Sequence, residues 1–166
     1  DALPILLIRA FLSSQQLAAQ DARLVIVGPD GNASADIAPL IAAASGRVER
    51  PGFLADDALE ALYATCRGFA FPSTAEGFGL VVLEAMARGA PVIAAAATSL
   101  PEVVGEAGLL VPPGDVPALA RAMERLAADD ALMARLSAAG YARLEDFSWS
   151  RAAEATLAEF HRAAGG

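Results

Sequence analysis

Short apolar runs alternate along this chain with longer stretches whose apolar residues recur every three or four positions. Leu24 to Val27, Gly68 to Phe71, Pro91 to Ala96 and Gly108 to Val111 are of the first kind, and a weaker run lies near Arg47 to Arg50. Such runs, bounded by glycine or proline, read as short buried strands. The helical pattern covers Leu3 to Ala19, Ala35 to Ala44, a run to Cys66 that Asp56 or Asp57 could cap, and Leu80 to Ala87, stopped by Gly89. A short helix opens at Leu100-Pro101-Glu102. Asp115 then caps Val116 to Ala127, Asp129 or Asp130 caps a run to about Tyr141, and Ser148 or Ser150 one to Ala163. Short apolar strands set between helices predict a parallel, doubly wound α/β sheet covered on both faces.

Length and composition narrow the class. The 166 residues suit one domain, without repeat or linker, and 55% hydrophobic with 19% charged residues excludes disorder. Apolar runs are too short to span a bilayer, and no secretory leader pattern is visible. A net charge of −8 argues against a general nucleic-acid surface. All twelve basic residues are arginine, and the single cysteine, Cys66, fits a reducing, cytoplasmic compartment. No Cys, His, Asp and Glu set has metal-ligand spacing, and His161 reads as a surface residue.

Candidate chemistry gathers in Pro72 to Ala94, PSTAEGFGLVVLEAMARGAPVIA. Glu76 stands before Gly77-Phe78-Gly79, and Glu84 sits inside the apolar run that follows. A helix apolar nearly all round is expected to be sunk in the domain, where a carboxylate needs a partner. Arg88, four residues on, could pair with Glu84 for about 0.3 to 0.5 kcal/mol. A ligand with paired hydroxyls, such as a ribose, could instead be gripped by it. Loop glycines and free N–H groups at the helix start suit a phosphate. Ser73 and Thr74 read as helix caps, and Phe78 as a plug whose backbone can still face a ligand. Arg50, Pro51 and Phe53 follow a strand at the rim where such sheets bind ligands. Phe147-Ser148-Trp149 reads as an aromatic anchor for the last helix.

The string EGFGLVVLEAMARGAPVIA, preceded by FAFPST and followed by SLPEVVGEAGLLVPPGD, resembles the signature of the retaining, nucleotide-sugar-dependent glycosyltransferases with two Rossmann-like domains, the GT-B type, in which two glutamates are separated by seven residues. That family includes bacterial mannosyl-, glucosyl- and galactosyltransferases and sucrose synthase. The resemblance implies that residues 1–166 form the C-terminal, donor-binding half of a hexosyltransferase. It implies that Glu84 holds the ribose, that Glu76 lies beside the transferred sugar as the catalytic carboxylate, and that Gly77, Phe78, Gly79 and Leu80 line the donor, with Arg50 bordering the base. The donor would be a nucleoside-diphosphate sugar, with neither cofactor nor metal.

Against the family pattern, the chain lacks the first strand, the arginine and lysine that hold the diphosphate, and the N-terminal acceptor domain. It therefore reads as a fragment of a larger, cytoplasmic enzyme, peripheral at the membrane through the missing domain and inactive alone. The rival reading is a nucleotide-sugar-binding module without transfer activity. A dinucleotide enzyme fits less well, because Gly28-Pro29-Asp30-Gly31-Asn32 has the wrong glycine spacing.

Overall fold

A computed structural model describes residues 2–29 and 34–164. Asp30, Gly31 and Asn32, which entered the glycine-spacing comparison, lie outside the described residues. The elements follow in the order α1 Ala2–Ser13, α2 Gln15–Ala19, β1 Leu24–Val27, α3 Ser34–Ala43, β2 Val48–Gly52, α4 Asp56–Thr65, β3 Phe69–Phe71, α5 Leu80–Ala87, β4 Val92–Ala95, α6 Leu100–Val104, β5 Gly108–Val111, α7 Val116–Ala128, α8 Asp130–Arg143 and α9 Trp149–Ala164.

All strand pairs are parallel. They form two sheets, β1-β2 and β3-β4-β5, in which Phe69 pairs with Val92 and Val92 with Gly108. β4 (VIAA) is buried at all four positions, as the middle strand of a covered sheet should be. Its first three side chains alternate between two cores. Ile93 joins one with Ile8, Phe11, Ile26 and Val48 and with Leu119 and Met123 of α7; Val92 and Ala94 join another with Tyr63 of α4, Val82 and Met86 of α5 and Val103 of α6. Helices therefore cover both faces, as the apolar pattern predicted.

The division into two sheets has a chemical signature. β2 carries Glu49, Arg50 and Pro51, the charges and proline that guard an outer edge. β1 (LVIV) and β3 (FAF) are apolar throughout, yet only Ile26 among them is buried. Sequences of that kind belong in the middle of a sheet, yet β1 pairs only with β2 and β3 only with β4 among the described residues.

Several boundaries differ from the sequence reading. The first helix breaks at Ser14, whose Oγ accepts from the Leu17 N–H at 3.1 Å to start α2 and donates to Glu124 Oε1 at 2.6 Å. A serine that can satisfy both a helix start and a distant carboxylate, while itself only 3% exposed, ends the helix where periodicity alone would continue it. β2 runs on through Pro51 to Gly52, whose carbonyl accepts from the Gly28 N–H at 3.0 Å, because an edge proline leaves the inner hydrogen bonds intact. α4 begins at Asp56 itself with Ala55 as its cap residue; Asp57 accepts only from the next N–H, that of Ala58, at 2.8 Å. Asp115, Asp129 and Ser148 do cap α7, α8 and α9, accepting from the N–H groups of Ala118, Leu132 and Arg151.

Candidate functional site

β3 ends at Phe71, and the chain crosses the carboxyl rim of the three-stranded sheet through Pro72 to Gly79 before entering α5. Gly79 makes the turn possible: its φ is +100°, in the left-handed region, and a Cβ there would lie 2.9 Å from a Leu100 methyl group. Being glycine, it gives α5 no side-chain cap, so the first N–H groups of that helix have no side-chain acceptor at the cap position. Ser73 and Thr74 are not caps, since the helix starts six residues beyond Thr74; the Ser73 hydroxyl points instead towards the Ala75 carbonyl at 3.4 Å.

The loop is held from one side. Glu76 donates its backbone N–H to Thr98 Oγ1 at 3.2 Å. The Ser99 hydroxyl donates to the Phe78 carbonyl at 2.9 Å and lies 3.4 Å from the Glu76 carbonyl. Thr98 and Ser99 leave the end of β4, the neighbouring strand. Sequence reasoning passed over both residues; hydroxyls beside a strand end are common, and their partners lie more than twenty positions away.

α5 is not sunk in the domain. Val82, Ala85 and Met86 are buried, whereas Leu80 and Glu84 lie exposed one turn apart on the opposite face. Eight residues give one face enough area to fill its core, and the apolar residues on the other remain at the surface. Glu84 therefore needs no internal counter-charge. Arg88 makes its ion pair with Glu60 of α4 instead, and that contact is the main cause of its raised pKa, with the charge of Glu84 a minor one. Neither the Glu76 nor the Glu84 carboxylate hydrogen-bonds or ion-pairs with a described residue, whereas Glu49, Glu60, Asp130 and Asp146 are all engaged. The charge of Glu84 is felt by Tyr63, whose pKa is raised first by burial and then by this carboxylate.

Phe78 is a plug only in part. It is 46% exposed, and its ring meets Phe147 edge-on with centroids 5.8 Å apart. Phe147 in turn stacks under the Arg143 guanidinium at 4.8 Å, which donates to the Val103 carbonyl at the end of α6. The aromatic anchor before α9 thus reaches the site loop, but through Phe147 alone, since Trp149 is 86% exposed. Arg50 lies on the two-stranded sheet and donates to the Pro29 carbonyl at 3.0 Å, beside the end of β1. A groove of about 410 Å³ lined by Val25, Pro51, Leu54 and Leu62 lies between β1-β2 and α4, away from the glutamates. No cluster of three or more His, Cys, Asp or Glu side chains suited to a metal occurs among the described residues.

Parallel strands covered by helices on both faces, with a glycine loop and a helix start at the carboxyl rim, make a doubly wound type of α/β domain. Residues 4–129 match the family described as Glycosyl transferases group 1, and the chain belongs to that family. It is 42% identical over 112 residues to the O-antigen chain mannosyltransferase B of Escherichia coli, a match taking in 68% of this chain and 29% of that enzyme. The chain thus spans less than a third of the length of this curated relative. Among solved structures it is similar to the sucrose-phosphate synthase of Thermosynechococcus elongatus, with a TM-score of 0.75 and 32% identity over 95% of this chain and 42% of that one. The Anabaena protein HepE in complex with UDP-glucose superposes with a TM-score of 0.76 at 28% identity, covering 95% and 44%. The fold is the Rossmann-like α/β fold found in GT-B glycosyltransferases, as the sequence pattern implied.

Proposed function

We propose that this chain is the donor-binding half of a retaining hexosyltransferase that moves a sugar from a nucleoside-diphosphate sugar to an acceptor. The observation that carries the reading is that one glycine loop and the helix after it, whose N-terminus has no side-chain cap, carry two carboxylates, Glu76 and Glu84, that neither hydrogen-bond nor ion-pair with any described residue. Glu84 accepts both ribose hydroxyls, for which an exposed, acceptor-only group is suited. The N–H groups of Gly77, Phe78, Gly79 and Leu80 face the diphosphate and sugar oxygens, and the α5 dipole favours the negative charge that grows on the leaving diphosphate. Glu76 lies beside the transferred sugar as the catalytic carboxylate, positioning it and stabilising positive charge at its anomeric carbon. Arg50 borders the base. Cations from a strand-loop segment ahead of α1, and an acceptor domain, complete the site, and no metal or cofactor takes part. The enzyme works in the cytoplasm, peripheral to the membrane through its acceptor domain; no helix among the described residues is long and apolar enough to cross one.

The reading is tested by incubating the purified chain, and a form extended by an acceptor domain, with UDP-, GDP- and ADP-sugars and candidate acceptors. Acceptor-dependent release of one nucleoside diphosphate by the extended form, and none by the chain alone, is expected. Acceptor-dependent release by the chain alone would contradict the half-site reading, and no release by the extended form with any donor would contradict the assigned reaction.

A further inference from the structure

We propose that Thr98 and Ser99 are positioning residues that clamp the Glu76–Gly79 loop in its ligand-ready form, an inference resting on the reading of that loop as the sugar-nucleotide site. The loop has no regular structure of its own, and three consecutive residues beyond β4 hold it. Thr98 takes the Glu76 N–H, Ser99 reaches the Phe78 and Glu76 carbonyls, and the buried Leu100 leaves no space for a side chain at Gly79. With both backbone groups of Glu76 and the carbonyl of Phe78 tied, the direction of the Glu76 side chain and of the Gly77 and Phe78 N–H groups is set by the clamp.

Thr98 holds this place at a conformational cost. Its φ is +50°, in the left-handed region that a branched Cβ resists most; the other described non-glycine residues with positive φ, Asp21 and Ser45, are unbranched. Glycine or asparagine would relieve the backbone there. A threonine is accounted for by its hydroxyl, which sits on the N–H of the residue carrying the candidate catalytic carboxylate. Ser99 shows a matching choice. As the N-cap residue of α6 it would ordinarily turn its hydroxyl to that helix, yet it makes no side-chain cap bond and spends the hydroxyl on the loop. Strain and a forgone cap, side by side and both directed at the same loop, mark the turn as built for that loop rather than for its own strand or helix.

The test is amide hydrogen exchange, read residue by residue, on the chain carrying Thr98→Val, Thr98→Gly or Thr98→Ser, together with titration of each, and of the unmodified chain, with UDP, GDP and ADP. The Glu76 amide should exchange about tenfold faster in the valine and glycine variants, the effect of losing one ordinary hydrogen bond. It should keep its normal rate in the serine variant. The Ile93 and Ala94 amides of β4 should be unchanged in all three, and the glycine variant should melt no lower than the parent, because the strained φ is relieved. Unchanged exchange at Glu76 in the valine and glycine variants would overturn the proposal. So would equal loss of protection along β4, which a merely structural threonine would cause. If UDP, GDP and ADP all fail to bind even the unmodified chain, that counts against the proposed donor site, while the exchange rates still decide the clamp.

Discussion

Glu84 and Arg88 stand four residues apart on α5 in the order that favours an ion pair, and they do not form one. Arg88 is taken by Glu60, twenty-eight positions away, an arrangement that side-chain spacing along one helix cannot reveal. The two partners of Glu84 weighed from the sequence are thereby separable by experiment. Glu84→Gln should weaken nucleotide binding by about 1 to 3 kcal/mol, the usual loss for a charged hydrogen-bond partner, and should alter stability by only about 0.5 kcal/mol or less because the residue is exposed. Arg88→Ala should leave nucleotide affinity alone and change stability little, because the pair it breaks is exposed. Calorimetry and thermal melts on the two variants check both; loss of stability without loss of affinity in Glu84→Gln would assign that carboxylate to the fold. The glutamate spacing and the local caps at Asp115, Asp129 and Ser148 were legible because each depends on neighbours within a few residues. Ser14, Thr98 and Ser99 were not, because their partners lie 110, 22 and 21 positions away.

At the scale of elements, the glycine loop and α4 make separate predictions. Gly79→Ala forces a side chain into a left-handed conformation against Leu100 and should cost about 1 kcal/mol or more, whereas Gly77→Ala meets open space and should be close to neutral for stability. Denaturant midpoints of the two variants measure the difference. In α4, and at its end, burial raises the pKa of both Tyr63 and Cys66. Between the unfolded and folded values the unfolded chain has released protons that the native state still holds, so stability falls as pH rises. Melting temperature should therefore be insensitive to these groups below about pH 9, the ordinary value for the thiol, and decline above it. The decline should be shallower in a Tyr63→Phe, Cys66→Ala double variant; a slope unchanged by the double substitution would place the alkaline sensitivity elsewhere. β1, β3, β4 and β5 were readable as apolar runs and β2 only as a weaker one, but their grouping was not. That β1-β2 and β3-β4-β5 are separate follows from which edges meet, and only the charged and proline residues of β2 hinted at an outer edge.

For the whole molecule, two features are incomplete within the described residues. β1 and β3 keep apolar open edges, and α9 buries no residue while exposing Trp149, Leu157 and Phe160. Since α9 contributes nothing to either core, removing residues 149–166 should leave the melting temperature of the chain nearly unchanged. A large fall would show that α9 packs on the domain in solution. The same openness bears on catalysis. A donor held on an exposed rim keeps its contacts in a high dielectric and lacks the positioning of a second wall, which is worth up to about 7 to 11 kcal/mol, so binding without turnover is the outcome expected of this chain by itself. The most direct measurement is backbone amide NMR of the chain titrated with UDP, GDP and ADP in turn. One nucleotide should shift the amides of Gly77 to Leu80 and of Glu84, and in Glu84→Gln the same shifts should require a correspondingly higher nucleotide concentration. Shifts gathered instead in the groove of Val25, Pro51 and Leu62, or none at the glycine loop with any of the three, would contradict a donor site built on Glu76 and Glu84.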